Sequence, residues 1–149
     1  MIARRLALAT LLAAGALAAG CGTMGSSSTS GGGMSGSTMN IPLSARNEVP
    51  PNASPGTGTG RVDLDGNVLK WTITYSGTTG PLTAGHFHGP AAPGANAGVV
   101  LPLTGSLASP ITGTATLTPA QLADVKAGLW YINLHTAAHP GGELRGQVK

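Results

Sequence analysis

The chain has 149 residues, of which 9% are charged and 3% aromatic, with 24 glycines, 11 prolines and one cysteine. That length suits a single domain, and one cysteine excludes an intramolecular disulfide. The formal charge of +3 overstates the domain's basicity: setting aside Arg4 and Arg5 leaves six Lys and Arg against five Asp and Glu, with no basic cluster to attract nucleic acid.

Met1-Ile2-Ala3-Arg4-Arg5 is a short basic start, followed by an apolar run from Leu6 to Ala19 and then Gly20-Cys21. A run of about 14 residues is too short to cross about 30 Å of hydrocarbon as a helix, but it suits the core of a signal peptide. Ala18, Ala19 and Gly20 before the cysteine resemble the bacterial lipobox, with Ala18 standing where Leu is commoner. The resemblance implies cleavage after residue 20, lipidation of Cys21 and attachment to a membrane in the cell envelope. Gly22, rather than Asp, follows the cysteine, which favours the outer membrane and a periplasmic or surface-exposed domain. Residues 21–40 are Gly-, Ser- and Met-rich and too poor in apolar groups to offset their ordering entropy, so they are expected to form a flexible tether.

The remaining residues, 41–149, have the punctuation of a β protein. A first strand is expected over Ile41–Asn47, at an edge because of Pro42, and a second around Arg61–Leu64. Asp65-Gly66-Asn67 supplies hairpin turn chemistry. Val68–Ser76 alternates, with Leu69, Trp71, Ile73 and Tyr75 on one face and Lys70, Thr72 and Thr74 on the other. Further strands are expected over Leu82–His88, Gly98–Leu103, Ile111–Leu117, Leu129–His135 and Glu143–Val148. One short helix is expected near 119–127, because Thr118-Pro119-Ala120-Gln121 has the form of a capping box with Pro at the first helical position. Seven or eight short strands separated by turns predict an all-β domain, an antiparallel Greek-key β-sandwich or barrel of the superoxide-dismutase-like or immunoglobulin-like kind.

Three stretches carry a family resemblance: His86-Phe87-His88-Gly89-Pro90, Gly128-Leu129-Trp130-Tyr131-Ile132-Asn133-Leu134-His135-Thr136 and Pro140-Gly141-Gly142-Glu143-Leu144-Arg145-Gly146-Gln147. In this order and at about this spacing they resemble the CHRD domain, first described in chordin and widespread in bacterial secreted proteins. The resemblance spans roughly residues 41–149. It implies a β-rich domain outside the cytoplasm, with no established biochemical activity for most members.

The chemistry available is that of histidine. His86 and His88 are two apart, so on a strand they share a face about 7 Å apart. His135 shares a parity set with Tyr131 and Asn133, opposite Trp130, Ile132 and Leu134. If the two strands meet, His86, His88 and His135 can converge on one ion, with His139 able to close the site. Imidazole ligands suit copper or zinc, and copper is favoured by the affinity order. Asn133, Glu143 and Arg145 are candidates for supporting contacts, Glu143 and Arg145 as an ion pair or as a carboxylate partner of a histidine. The alternative without metal is a structural or protein-interaction module in which the histidines form a hydrogen-bonded polar layer. A superoxide-reacting copper enzyme rests on fold analogy alone, and the chain lacks the cysteine pair and the His- and Asp-bearing zinc loop of copper–zinc superoxide dismutase. Nothing suggests nucleophilic catalysis, because no Ser lies in a nucleophile elbow.

Overall fold

The computed structural model describes residues 36–149. The expected signal segment, Cys21 and residues 21–35 of the expected tether lie outside them. Eight strands and one helix follow in order: β1 (Ser37–Ser44), β2 (Thr57–Asp65), β3 (Val68–Ser76), β4 (Leu82–His88), β5 (Val99–Pro102), β6 (Ile111–Thr116), α1 (Pro119–Lys126), β7 (Tyr131–Thr136) and β8 (Leu144–Gln147).

The boundaries of the first two strands move appreciably, and β2 starts at Thr57 rather than near Arg61. The sheet starts at Ser37, so residues 37–40, assigned to the tether on composition, belong to β1. They pair with Arg61–Leu64 of β2, while Ser37, Thr38 and Asn40 keep their side chains exposed. Backbone pairing needs no apolar side chain, which is why composition misplaced the boundary. At the other end Ala45–Asn47 leaves the strand as a 3-10 turn.

The clearest sequence pattern makes the central hairpin. Gly66, at φ 59°, turns the chain between β2 and β3, and Leu69, Trp71 and Ile73 are all buried. The helix forms as its capping box requires: the Thr118 hydroxyl accepts from the Gln121 backbone N–H, and the Gln121 side chain accepts from that of Thr118. Gly128, at φ 69° just past the C-cap Ala127, takes the left-handed conformation that ends it.

All the strands join one antiparallel sheet in the order β5-β4-β7-β8-β1-β2-β3-β6. Between β8 and β1 the only paired residues are Ser44 and Arg145, and the sheet curls there. The halves β1-β2-β3-β6 and β5-β4-β7-β8 then face each other across an apolar core. Trp71 of β3 meets the ring of Phe87 of β4 edge-on, with centroids 5.3 Å apart. A methyl on Gly60 of β2 would lie 2.6 Å from Ile132 of β7. The chain passes from one half to the other after β3, β5 and β6, giving the Greek-key all-β sandwich or barrel that the strand pattern predicts.

The strand β7 departs from simple alternation, because all six of its residues are buried. Ile132 and Leu134 face the core. Tyr131, Asn133 and His135 face away from it, yet loops cover them. The Asn52 side chain donates to the carbonyls of Gly142 and Glu143, the Asn96 side chain donates to the Val49 carbonyl at 2.8 Å, and the Tyr131 hydroxyl bonds Ala97. The outer face of this half-sheet is therefore a polar layer roofed by three loops, and the candidate site lies in it.

Candidate metal centre

The register of β4 against β7 sets Ala84 opposite His135, His86 opposite Asn133 and His88 opposite Tyr131. Paired residues share a face, so His86, His88 and His135 emerge on the same outer side. The diagonal offset brings the rings of His86 and His135 to 4.9 Å between centroids, with His86 and His88 at 5.4 Å. One nitrogen from each of the three lies within 4.8 Å of the others.

Hydrogen bonds determine which nitrogens these are. His88 Nδ1 lies 3.0 Å from the Ala97 carbonyl, and His135 Nδ1 lies 3.0 Å from the Pro140 carbonyl. A carbonyl only accepts, so in both rings Nδ1 carries the proton and Nε2 presents its lone pair. His88 Nε2 is buried and has no hydrogen-bond partner. His135 Nε2 lies 3.1 Å from His86 Nδ1, which must donate to it. The cluster thus offers two lone pairs and one displaceable N–H, a donor set suited to an ion that favours imidazole. Carbonyl anchoring of the far nitrogen is the usual way a metal-binding ring is oriented.

Electrostatics keeps the rings neutral. Burial lowers the pKa of all three below the ordinary histidine value; for His88 and His135 the carbonyl bonds oppose this, while the neighbouring rings, and Arg145 for His88, add to the lowering. Neutral imidazole is the form that ligates metal.

The fourth histidine stays outside the group. His139 is half-buried on the loop after β7 and lines a separate surface cavity with Glu48, Pro50 and Asn52. The expected supporting contacts also differ. Glu143 pairs with neither Arg145 nor a histidine. Burial pushes its carboxyl up, but hydrogen bonds from Ser54, Thr136 and both the backbone and side chain of Thr79 outweigh this and hold it at about 2. It fastens the roof loops to the end of β7. Asn133 donates to Glu48 rather than to a ring. Arg145 acts at one remove: its guanidinium lies 3.5 Å over the Tyr131 ring, and Tyr131 stacks on His88 with planes 6° apart.

Tyr131 and Glu48 are the residues that sequence reasoning did not assign to the site. Tyr131 carried a usable signal, because it belongs to the parity set of Asn133 and His135. Glu48, in an irregular segment before Val49-Pro50-Pro51, had none.

Gly89 of the first motif and Gly142 of the third are explained by close approach. A methyl on Gly89 would lie 2.4 Å from Trp130, and one on Gly142, at φ 131°, would collide with Asn133 and Glu48. The sequence profile of the CHRD domain matches residues 39–148, from within β1 to just past β8. This chain belongs to the CHRD domain family. No curated protein and no solved structure matches it. The motifs characteristic of this CHRD domain therefore build both its layers: Trp130 and Phe87 enter the core, while His86, His88 and His135 form the outer cluster.

Proposed function

We propose that this CHRD domain binds a transition-metal ion, copper or zinc, through His86 Nδ1, His88 Nε2 and His135 Nε2. The observation that carries the reading is the convergence of three imidazole nitrogens, one of them a buried lone pair without any partner. Three imidazoles suit both ions, and copper is favoured at equal availability. Three protein ligands leave room for water or an exogenous group at the metal. The lipobox-like segment ending at Cys21 supports an anchored position in the cell envelope, with the outer membrane favoured. Labelling cells with a radioactive fatty acid checks this, and label retained by a Cys21→Ser variant would contradict it.

A second reading has its own support: the 3.1 Å contact between His86 and His135 satisfies those two rings with no ion, as a purely structural polar layer would. Titrating Cu(II) and Zn(II) into the metal-free protein by calorimetry separates the two. Metal binding predicts micromolar or tighter affinity that is lost in His88→Ala and weakened in His86→Ala. Failure to bind either ion, or binding indifferent to both substitutions, leaves the structural layer as the function of the cluster. Superoxide turnover has only fold analogy behind it, and would require activity that disappears with the same substitutions.

A further inference from the structure

A cleft of about 650 Å³ opens between the turn that follows β1 and the strand β8, a size usual for small-molecule sites. Its floor holds Arg145, 2% exposed. The guanidinium donates to the Asn96 side chain and the Ala95 carbonyl, both neutral acceptors, and rests on Tyr131. No carboxylate pairs with it: among the described residues the one ion pair is Arg61–Asp63, on the surface. A buried cation without a counter-ion is costly unless something compensates it. The acid nearest to serving is Glu48, 5% exposed in the same cleft with Oε1 unpartnered. Burial pushes its carboxyl up to about 7, against the pull of Arg145 and the Asn133 N–H, so at neutral pH it cancels only part of one charge. Arg46 and Lys149, both exposed, add two cations at the rim.

 The walls, formed by Pro42, Pro51 and Pro93, are apolar and stiff.

We infer that this cleft is a second ligand site, separate from the imidazole cluster, which takes a small organic carboxylate through Arg145 with Arg46 and Lys149 at its mouth. A carboxylate matches the planar guanidinium, which can present parallel N–H donors to it, and a short hydrocarbon body matches the proline walls.

The test uses the purified, metal-free full chain, titrated by calorimetry with acetate, succinate and benzoate. Succinamide and benzamide serve as uncharged counterparts, and inorganic phosphate as an anion without a hydrocarbon body. At least one carboxylate is expected to bind with millimolar or tighter affinity, at least tenfold better than its amide and than phosphate. The double substitution Arg46→Ala/Lys149→Ala changes only exposed side chains, and should weaken that binding at least fivefold with no change in thermal unfolding. His86→Ala, at a ring that meets His88 and His135 but not Tyr131 or Arg145, should leave it unaltered, which keeps this result independent of the metal reading. Binding by none of the carboxylates, equal binding of the amide, equal binding of phosphate, or indifference to the double substitution would each overturn the assignment.

Discussion

Replacing Glu48 with Gln should make the protein more stable at alkaline pH, although it removes a buried charged group. Asn133 Nδ2 donates to Glu48 Oε2 at 3.3 Å, while Glu48 Oε1 and Asn133 Oδ1 are both buried acceptors with no partner. The two lie together, since a methyl on Gly142 would stand 2.7 Å from the first and 2.5 Å from the second. A proton on Oε1 can be donated to Asn133 Oδ1, closing an acid–amide pair and satisfying both. Burial raises the carboxyl from 4.5 to about 7, against the pull of Arg145 and of the Asn133 N–H, so the folded protein holds that proton more tightly than the unfolded chain. By linkage, the stabilisation is complete below the unfolded value and is lost as pH rises through about 7. That displacement corresponds to about 3 kcal/mol. Gln carries a permanent N–H at the same place, so Glu48→Gln should be nearly neutral at pH 4.5 and stabilising by about 3 kcal/mol at pH 8.5. Urea unfolding of both proteins at the two pH values measures this. A variant less stable than the parent at pH 8.5, or a difference that does not change with pH, refutes a Glu48 carboxyl that folding holds protonated.

Two other expectations rest on separate parts of the structure. Because burial holds His86, His88 and His135 below the ordinary histidine value, Zn(II) affinity should stay level from pH 8 to about 6.5 and fall only at lower pH; competition titrations that place the decline at or above 6.5 contradict neutral, preformed ligands. Gly113→Ala puts a methyl 2.2 Å from Trp71, and overpacking of this kind should cost about 1–3 kcal/mol; an unchanged thermal midpoint would show that Trp71 does not lie across β6.

What the sequence revealed follows from the range of each signal. Alternation and turn chemistry are local, so β3, the turn before it and the capped helix were legible almost to the residue, whereas β2 starts at Thr57 rather than near Arg61. The parity of Leu129–His135 separated the core set from the outer set, and the His-x-His spacing placed His86 and His88 on one face. Hydrogen bonds across long separations were not legible. Glu143 and Arg145 have the same parity, yet Glu143 is drawn to Ser54, Thr79 and Thr136 while Arg145 reaches Asn96. The choice depends on where the roof loops fold back, which no periodicity records. The same holds for Glu48, whose partner Asn133 lies 85 residues away, and for His139, whose loop directs it away from the other rings.

The offset pairing of β4 with β7 also bears on the order in which the molecule assembles. His86 and His135 are 49 positions apart, and the intervening chain, which carries β5, β6 and the helix, must close into a long loop before the two strands can pair. In the unfolded chain an ion would meet at most a local pair of histidines; the three nitrogens come together only when β4 pairs with β7. An ion that needs all three would stabilise the finished topology alone, and partly folded chains, slow to close such distant pairings, would release it.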